Sequence, residues 1–224
     1  RPAAGFALEH GGYAELLFGF HNYGANQNLE GGAQRDARLV FDATRFVVEF
    51  EGEMPWQIDF EAEIELEHGG TGSEMELDFE EFGEFEHEIA KGGEVLVEEL
   101  WVRKRFGDHF ALKAGRFYLA LGTLFSDTRP TAYLATTRSE AETTVIPAVW
   151  DEMGLELQAS FEKLRLTAQV VNGLDSTGFS SRFWVASGHQ KRFELVRATD
   201  LAGVARVDFL PARDVELGVS AYYG

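Results

Sequence analysis

The sequence predicts an all-β fold, a transmembrane antiparallel up-and-down β-barrel. Three observations support it: strands with one apolar and one charged face, strand lengths that suit a bilayer, and connections that alternate between short and long. The clearest strand extends from Trp56 to Glu67 (WQIDFEAEIELE). Its apolar and acidic residues alternate, so they lie on opposite faces of a strand. A helix of this sequence would distribute glutamates around its whole circumference.

The length of this strand favours a membrane. A strand in a soluble sheet usually has about 5–6 residues, whereas a tilted strand needs roughly 9–11 residues to cross a bilayer. Twelve alternating residues with one carboxylate face suggest a strand between lipid and water. This segment alone leaves an alternative open, which is a long strand of a soluble sandwich with one core face and one solvated face.

Eight other segments alternate in the same way, which predicts about nine strands in this chain. They are 13–23, 44–51, 94–105, 110–115, 153–160, 164–170, 203–209 and 215–223. The phase is less regular at Glu98 and Glu99, which suggests a β-bulge. Residues 52–55 predict a short turn before Trp56.

The connections between these strands alternate in length. The long ones are 24–38, 68–93, 117–149 and 172–201. In an antiparallel sheet this order places all short turns at one end of the strands, as in bacterial outer-membrane barrels. The second long connection is acidic. We predict a solvated loop there rather than a short amphipathic helix carrying Phe79, Phe82 and Phe85.

Composition excludes several classes of protein. The net charge of −18 argues against nucleic acid as a partner, because phosphate binding needs clustered Lys and Arg. An apolar content of 45% argues against a disordered acidic chain, and the lack of Cys excludes disulfides and thiolate metal sites. The sequence contains no run of about 18 apolar residues, so it does not predict a transmembrane helix. The start at Arg1-Pro2 predicts a processed or truncated N-terminus.

The sequence does not favour an enzyme. Ser, His and Asp are present, but we find no nucleophile-elbow or metalloprotease motif. The close glutamates of 56–67 could imitate a glycosidase pair, but regular alternation explains them more simply. His68 and His87 could bind a divalent metal among carboxylates, although a solvated loop is the simpler interpretation. We therefore predict no catalytic residue, no cofactor and no metal site.

Three segments resemble a known family. They are 93–130 (GEVLVEELWVRKRFGDHFALKAGRFYLALGTLFSDTRP), 147–157 (PAVWDEMGLEL) and 171–173 (VNG). The chain resembles Gram-negative outer-membrane porins of the phosphate-selective porin O/P type, in which a Gly-Arg-Phe segment opens into a long third loop. The resemblance implies a barrel that is about 16-stranded when complete. It also implies a homotrimer and a third loop, 117–149, folded into the lumen as a constriction.

The resemblance places the protein in the outer membrane of a Gram-negative bacterium, in contact with lipid and lipopolysaccharide. The count of about nine strands and the end at Tyr222-Tyr223-Gly224 predict that the C-terminal part of the barrel is missing. The predicted function is a water-filled channel for passive diffusion of small hydrophilic solutes or ions. Two alternatives remain: a structural or partner-presenting outer-membrane barrel with acidic extracellular loops, and a soluble ligand-binding β-barrel.

With the apolar parity towards lipid, the charged parity lines the pore. The predicted acidic lining is Glu15, Glu49, Asp59, Glu61, Glu63, Glu65, Glu67 and Glu156. The predicted basic residues of the lining or constriction are Arg103, Arg105, Lys113, Arg116, Arg129, Arg138 and Arg165. The third loop adds the acids Asp127, Glu140 and Glu142.

We expect the acids and the bases to form two facing walls with a transverse field that screens solutes by charge. Arg129 and Arg138 could bind an anion bidentately. Two arginines among more numerous acids do not predict a phosphate ladder, and the bulk charge favours cations.

Overall fold

The computed structural model describes residues 6–23, 36–77, 85–91, 93–122, 129–132, 135–136, 145–147, 149–181, 184–189 and 200–224. Most regular structure in these ranges is built from β-strands, and two single 3₁₀ turns lie at Ser176–Gly178 and Ala186–Gly188. Within the described ranges, no helix has the length and apolar character needed to span a membrane.

The strands are β1 (Ala7–Tyr23), β2 (Asp36–Met54), β3 (Ile58–Glu67), β4 (Gly72–Leu77), β5 (Phe85–Lys91), β6 (Glu94–Phe106), β7 (Phe110–Tyr118), β8 (Asp151–Ser160), β9 (Leu164–Asn172), β10 (Leu201–Ala212) and β11 (Val215–Tyr223). Nine of them form one antiparallel sheet in the order β1-β2-β3-β6-β7-β8-β9-β10-β11. The all-β fold and the nine strands predicted for this chain are confirmed.

Several strands extend beyond their predicted ends. β1 begins at Ala7 rather than Tyr13, and β2 covers Asp36–Met54 rather than 44–51. The ladder of backbone hydrogen bonds needs only N–H and C=O groups, so it continues where the alternation of side chains lapses. The adjacent side chains of Glu98 and Glu99 are both buried, so strict alternation is interrupted there, and the β-bulge stays a prediction.

The turn before β3 lies later in the chain than predicted. β2 continues to Met54, and the turn comprises Pro55, Trp56 and Gln57. Trp56 and Gln57 have φ angles of 67° and 60°, and a type I′ hairpin turn requires positive φ at both central residues. Pro55 has no N–H for the ladder, which favours a break at this position. The strand predicted for 56–67 therefore starts at Ile58.

The alternation of short and long connections is confirmed. Short turns occur at 55–57, 107–109, 161–163 and 213–214, and long connections join β1 to β2, β3 to β6, β7 to β8 and β9 to β10. The third long connection begins at Leu119, because β7 continues through Phe117 and Tyr118.

The second long connection differs from the prediction. It contains a two-stranded sheet of β4 and β5, in which Glu74 lies opposite Glu88 and Glu76 opposite Glu86. The expectation of a loop without regular structure is therefore wrong for these strands. Of the three phenylalanines considered there, Phe85 begins β5, and Phe79 and Phe82 lie outside the described residues.

The described strands belong to two compact units. The smaller one comprises 10–49 and 64–97, and the larger one comprises 1–9, 50–63 and 98–224. In the smaller unit Leu16 and Phe41 are 79% and 80% exposed, whereas Glu65 is 2% exposed. Apolar side chains thus face outwards and a carboxylate is buried.

The larger unit has the same arrangement. In β8, Leu155 and Leu157 are exposed, and Glu156 between them is buried. In β10, Val207 is exposed, and Arg206 and Asp208 on either side of it are buried. Soluble proteins bury apolar residues and expose charged ones. The sheet of this unit is therefore inverted relative to a soluble sandwich.

Candidate functional site

Charged and polar side chains of the larger unit gather on one side of its strands. We call this surface the polar face, and it comprises Asp59, Glu61, Glu63, Glu99, Arg103, Arg105, Lys113, Glu156, Gln158, Arg165, Thr167, Gln169, Arg206, Asp208, Glu216 and Ser220. The strand register connects its members: Arg103 pairs with Lys113, Lys113 with Glu156, and Glu156 with Gln169. A groove of about 410 Å³ extends along this face from Glu61 to Glu216.

Acids and bases on the polar face form direct ion pairs. The buried Asp59 accepts hydrogen bonds from Arg103 Nε at 3.1 Å and from Arg105 Nη2 at 2.9 Å. Arg105 Nη2 also lies 3.0 Å from Glu53 Oε1. Because β3 and β6 are neighbours in the sheet, their opposite charges intermix. The expectation of separate acidic and basic walls is wrong for these residues.

Lys113 occupies the middle of the groove. Its Nζ lies 3.5 Å from Glu156 Oε1 and 4.5 Å from the centroid of the Trp101 ring. The ring of Phe117 is on another side, 5.5 Å from the same ammonium group. Cation–π contacts and an ion pair hold this positive charge in a defined position.

Three carboxylates lie close together beside Lys113. Oxygen atoms of Glu61, Glu63 and Glu99 are all within 4.8 Å of one another, and we call this group the glutamate cluster. Trp101 Nε1 donates to Glu99 Oε1 at 3.1 Å, and Tyr118 Oη donates to Glu63 Oε2 at 3.2 Å. A hard divalent cation prefers oxygen ligands of this kind, so within the described part of the chain this group could hold one.

Three neighbouring strands, β9, β10 and β11, contribute a second group of charges. Arg206 Nε donates to both oxygens of Asp208, at 2.7 and 2.9 Å, and its Nη2 donates to Glu216 Oε1 at 3.1 Å. Arg165 Nη1 lies 3.8 Å from the other oxygen of Glu216. Sequence reasoning predicted Arg165 but missed the other three residues. The shared parity of Arg206 and Asp208 in β10 was the signal that could have found them.

The first residues of the third long connection contact side chains of the polar face. These residues, Leu119–Gly122, are called the loop base below. Leu119 is 1% exposed and packs in an apolar cluster with Trp101, Phe117, Trp150, Val171, Ala202 and Val204. Its N–H donates to the carbonyl oxygen of Trp150 at 2.9 Å, which closes the connection at its foot.

Polar contacts continue from the loop base. The N–H of Ala120 donates to Gln169 Oε1 at 2.9 Å, and the N–H of Gly122 donates to Ser220 Oγ at 3.0 Å. Arg206 Nη1 donates to the carbonyl oxygen of Gly122. The loop base therefore contacts side chains of β9, β10 and β11.

The smaller unit has its own charged group. Arg45 Nε lies 3.1 Å from Glu15 Oε2, and Arg45 Nη1 lies 3.9 Å from Glu65 Oε2. The guanidinium group is also 5.5 Å from the centroid of the Tyr13 ring. Sequence reasoning predicted both glutamates but not the arginine between them. Of the other acids predicted in this unit, Glu49 and Glu67 are half-buried.

Arg116 does not belong to the polar face. It lies on the other parity of β7, is buried, and forms an ion pair with Asp151. His189 joins this group, since its Nε2 lies 2.8 Å from the carbonyl oxygen of Asp151 and 3.7 Å from Glu152 Oε1. The group lies where β7 ends and β8 begins.

The predicted constriction residues are described only in part. Arg129 is exposed, and Asp127, Arg138, Glu140 and Glu142 lie outside the described residues. Their position at a constriction stays a prediction.

Comparison of the sequence with known protein families identifies the family of this chain. The family model of phosphate-selective porin O and P matches residues 19–191. The chain belongs to this family. The three segments that carried the resemblance lie within the matched range, so the predicted family is confirmed.

A relative with a longer chain is also found. An uncharacterized protein of Aquifex aeolicus (strain VF5) is 25% identical over 214 residues, which cover 95% of this chain and 43% of that protein. The chain therefore spans less than half the length of this relative.

Proposed function

We propose that this chain forms the wall of an outer-membrane porin, a water-filled channel for passive diffusion of small hydrophilic solutes or ions. The observation that carries the proposal is the inverted burial of both units. Exposed Leu, Val and Phe side chains would be stable against lipid, whereas in water they would form an unusually large apolar surface. Family membership supports the location in the outer membrane of a Gram-negative bacterium. It also supports a transport role without catalysis.

The inverted burial disfavours a soluble ligand-binding barrel. A barrel that encloses an apolar ligand directs apolar side chains inwards. In this chain Leu217 and Val219 of β11 are exposed, whereas the buried residues of neighbouring β10 include Arg206 and Asp208. An aqueous path along the polar face is the arrangement that keeps these charges hydrated.

The ion pairs bear on the selectivity of the channel. The polar face carries five basic residues, Arg103, Arg105, Lys113, Arg165 and Arg206, and seven acidic residues, Asp59, Glu61, Glu63, Glu99, Glu156, Asp208 and Glu216. Each base lies within 4.0 Å of a carboxylate, so little positive potential remains for an anion. We therefore propose a weak cation preference rather than a phosphate ladder.

The loop base supports an inward course of the third long connection. Its hydrogen bonds to Gln169, Ser220 and Arg206 direct the chain across the polar face. We propose that residues 117–149 narrow the lumen in this way. The homotrimer, and contacts of the apolar surface with lipid and lipopolysaccharide, are further proposals that rest on the family.

Single-channel recording of the full-length protein in a planar bilayer under a salt gradient tests this function. Stepwise conductance with a reversal potential that favours the cation is the expected result. A reversal potential that favours the anion would contradict the proposed role of the ion pairs. A folded barrel that conducts no ions would instead favour a structural or partner-presenting role with acidic extracellular loops.

A further inference from the structure

We propose that Gln169, Arg206 and Ser220 act together as a latch that holds the loop base across the polar face and so sets the width of the channel. This inference rests on the proposed porin function. The three are positioning residues, since they would act on permeating solutes through the course of the third long connection.

The loop base crosses the sheet sideways. The chain leaves β7 at Tyr118, and four residues later the N–H of Gly122 reaches Ser220 on β11. Between β7 and β11 the sheet contains β8, β9 and β10. The loop base therefore passes sideways over three strands, where a connection that continued along the direction of β7 would leave the sheet at its end.

Gln169 is the first contact along this path. Its side chain is 2% exposed and uses both ends of the amide. Oε1 accepts from the N–H of Ala120 at 2.9 Å, and Nε2 donates to the carbonyl oxygen of Tyr118 at 3.1 Å and to Glu156 Oε2 at 2.7 Å. Only an amide side chain offers an acceptor and two donors at once, so neither Glu nor Leu reproduces this set of bonds.

Arg206 is the second contact. Asp208 and Glu216 fix its guanidinium group through Nε and Nη2, which leaves Nη1 directed at the carbonyl oxygen of Gly122. The planar fork of arginine makes these bonds simultaneously, which the single ammonium group of lysine cannot do. Gly218 lies opposite Asp208 in β11, and a Cβ there would be 2.5 Å from Asp208 Oδ1, so this glycine provides the space for the pair.

Ser220 completes the latch from the neighbouring strand. It lies directly opposite Arg206 in the register of β10 and β11, and its Oγ accepts from the N–H of Gly122 at 3.0 Å. Gly122 has a φ of 65°, a left-handed conformation that suits glycine and turns the chain at this point. Both backbone groups of Gly122 are thus bound by side chains of the polar face.

The latch is separate from the apolar anchor of the same segment. Leu119 is buried among Trp101, Phe117 and Trp150, whereas the latch binds the backbone of residues 120–122. Burial of the Leu119 side chain in this apolar cluster holds the start of the connection in place without the latch. Substitutions in the latch should therefore redirect the loop without unfolding the barrel.

The test uses three variants that preserve net charge: Gln169→Leu, Arg206→Lys and Ser220→Ala. Gln158→Leu is the matched control, because Gln158 lines the same groove and the contacts described for the loop base do not include it. Single-channel conductance and open-channel noise are recorded for each full-length protein. Heat-modifiable migration in gels verifies that each barrel is folded.

We expect Gln169→Leu and Arg206→Lys to raise conductance by about twofold and to increase open-channel noise, because the narrowest part of a pore dominates its resistance. Ser220→Ala should also raise conductance and open-channel noise, but by a smaller amount. Because it removes only one hydroxyl group, this variant can still be tested if a larger substitution prevents folding. The control removes an amide from the same groove, so we expect it to change conductance and noise by less than Gln169→Leu does.

Two failures are distinguishable. Loss of the proposed function would appear as a folded, unaltered protein without conductance. A conducting protein whose latch variants match the Gln158→Leu control in conductance and noise would overturn the latch alone.

Discussion

Asp59 and the glutamate cluster both belong to the polar face, but their negative charges are compensated differently. Asp59 faces Arg103 and Arg105, and two guanidinium groups bind its oxygens. Two residues further along, Glu61 begins a group of three carboxylates near the single charge of Lys113. The same alternation in β3 thus produces a neutralised pair and a crowded acidic group. The neighbouring strand, rather than the alternation, decides which chemistry each position has.

Removing the compensated carboxylate should have the largest effect. Asp59→Ala leaves Arg103 and Arg105 without their shared acceptor, so we expect the free energy of unfolding to fall by about 2–3 kcal/mol. The loss of one negative charge should also move the reversal potential towards anions. Urea unfolding from lipid vesicles and bilayer recording measure the two effects. An unchanged free energy of unfolding would mean that solvent compensates the arginines equally well.

Tyr118→Phe tests whether the Tyr118 hydroxyl stabilises the buried carboxylates around the glutamate cluster. The Tyr118 hydroxyl lies 2.7 Å from Glu98 Oε2 and 3.2 Å from Glu63 Oε2, and phenylalanine keeps the ring but removes this polar contact. We expect a loss of about 1–2 kcal/mol in the free energy of unfolding, because buried carboxylate oxygens lose a partner. Tyr13→Phe, in the smaller unit, is the matched control for loss of a tyrosine hydroxyl. Equal losses in the two variants would contradict a special role for Tyr118.

Glu99→Gln should have an effect of opposite sign to Asp59→Ala. It removes one of three like charges and keeps the shape of the side chain and an oxygen that can accept from Trp101. We expect the free energy of unfolding to rise by up to about 1 kcal/mol, since like charges at short range repel. The cation preference should weaken at the same time. A clear loss of stability would show that the full charge of the cluster is needed, for instance by a bound cation.

In the pair of His68 and Asp42, the base that compensates the carboxylate can itself lose its charge near neutral pH. His68 Nδ1 lies 2.7 Å from Asp42 Oδ2, and this hydrogen bond raises the pKa of His68 above 6.5. The pair therefore stabilises the fold fully below pH 6.5, and its contribution is lost as the pH rises through the higher pKa of the folded state.

This should be the smallest of the four effects, because the His68 side chain is 54% exposed and water screens the pair. The urea midpoint of the unaltered protein, measured between about pH 5.5 and 8.5, should fall more steeply with pH than that of His68→Gln. Parallel slopes in the two proteins would exclude a contribution from this pair.

Alternation predicted the strands and the parity of the charges because both depend on local sequence. It placed Asp59, Glu61, Glu63, Lys113 and Glu156 on the charged side, where the structure has them. The resemblance to porins O and P likewise depended on short segments and is confirmed.

Pairing could not be predicted in the same way. Arg103 meets Asp59 only because β6 adds to β3 across the connection that contains β4 and β5. The glutamate cluster unites residues of two strands that are separated by the same connection. Register across a long connection depends on contacts between distant segments, which a local pattern does not encode. The contacts of the loop base with Gln169 and Ser220 have the same origin.

The hairpin turn between β2 and β3 has a consequence for the depth of the protein in the bilayer. The Trp56 indole in this turn is 81% exposed, and the exposed rings of Phe106, Phe110 and Phe161 border two of the other short turns, 107–109 and 161–163. Indole rings favour the boundary between acyl chains and head groups, and transmembrane barrels carry girdles of aromatic residues there. We expect this row of rings to lie at the membrane interface and so to fix how deeply the sheet is inserted in the bilayer. Quenching of Trp56 fluorescence by lipids brominated near the head group, rather than at the bilayer centre, would locate that line.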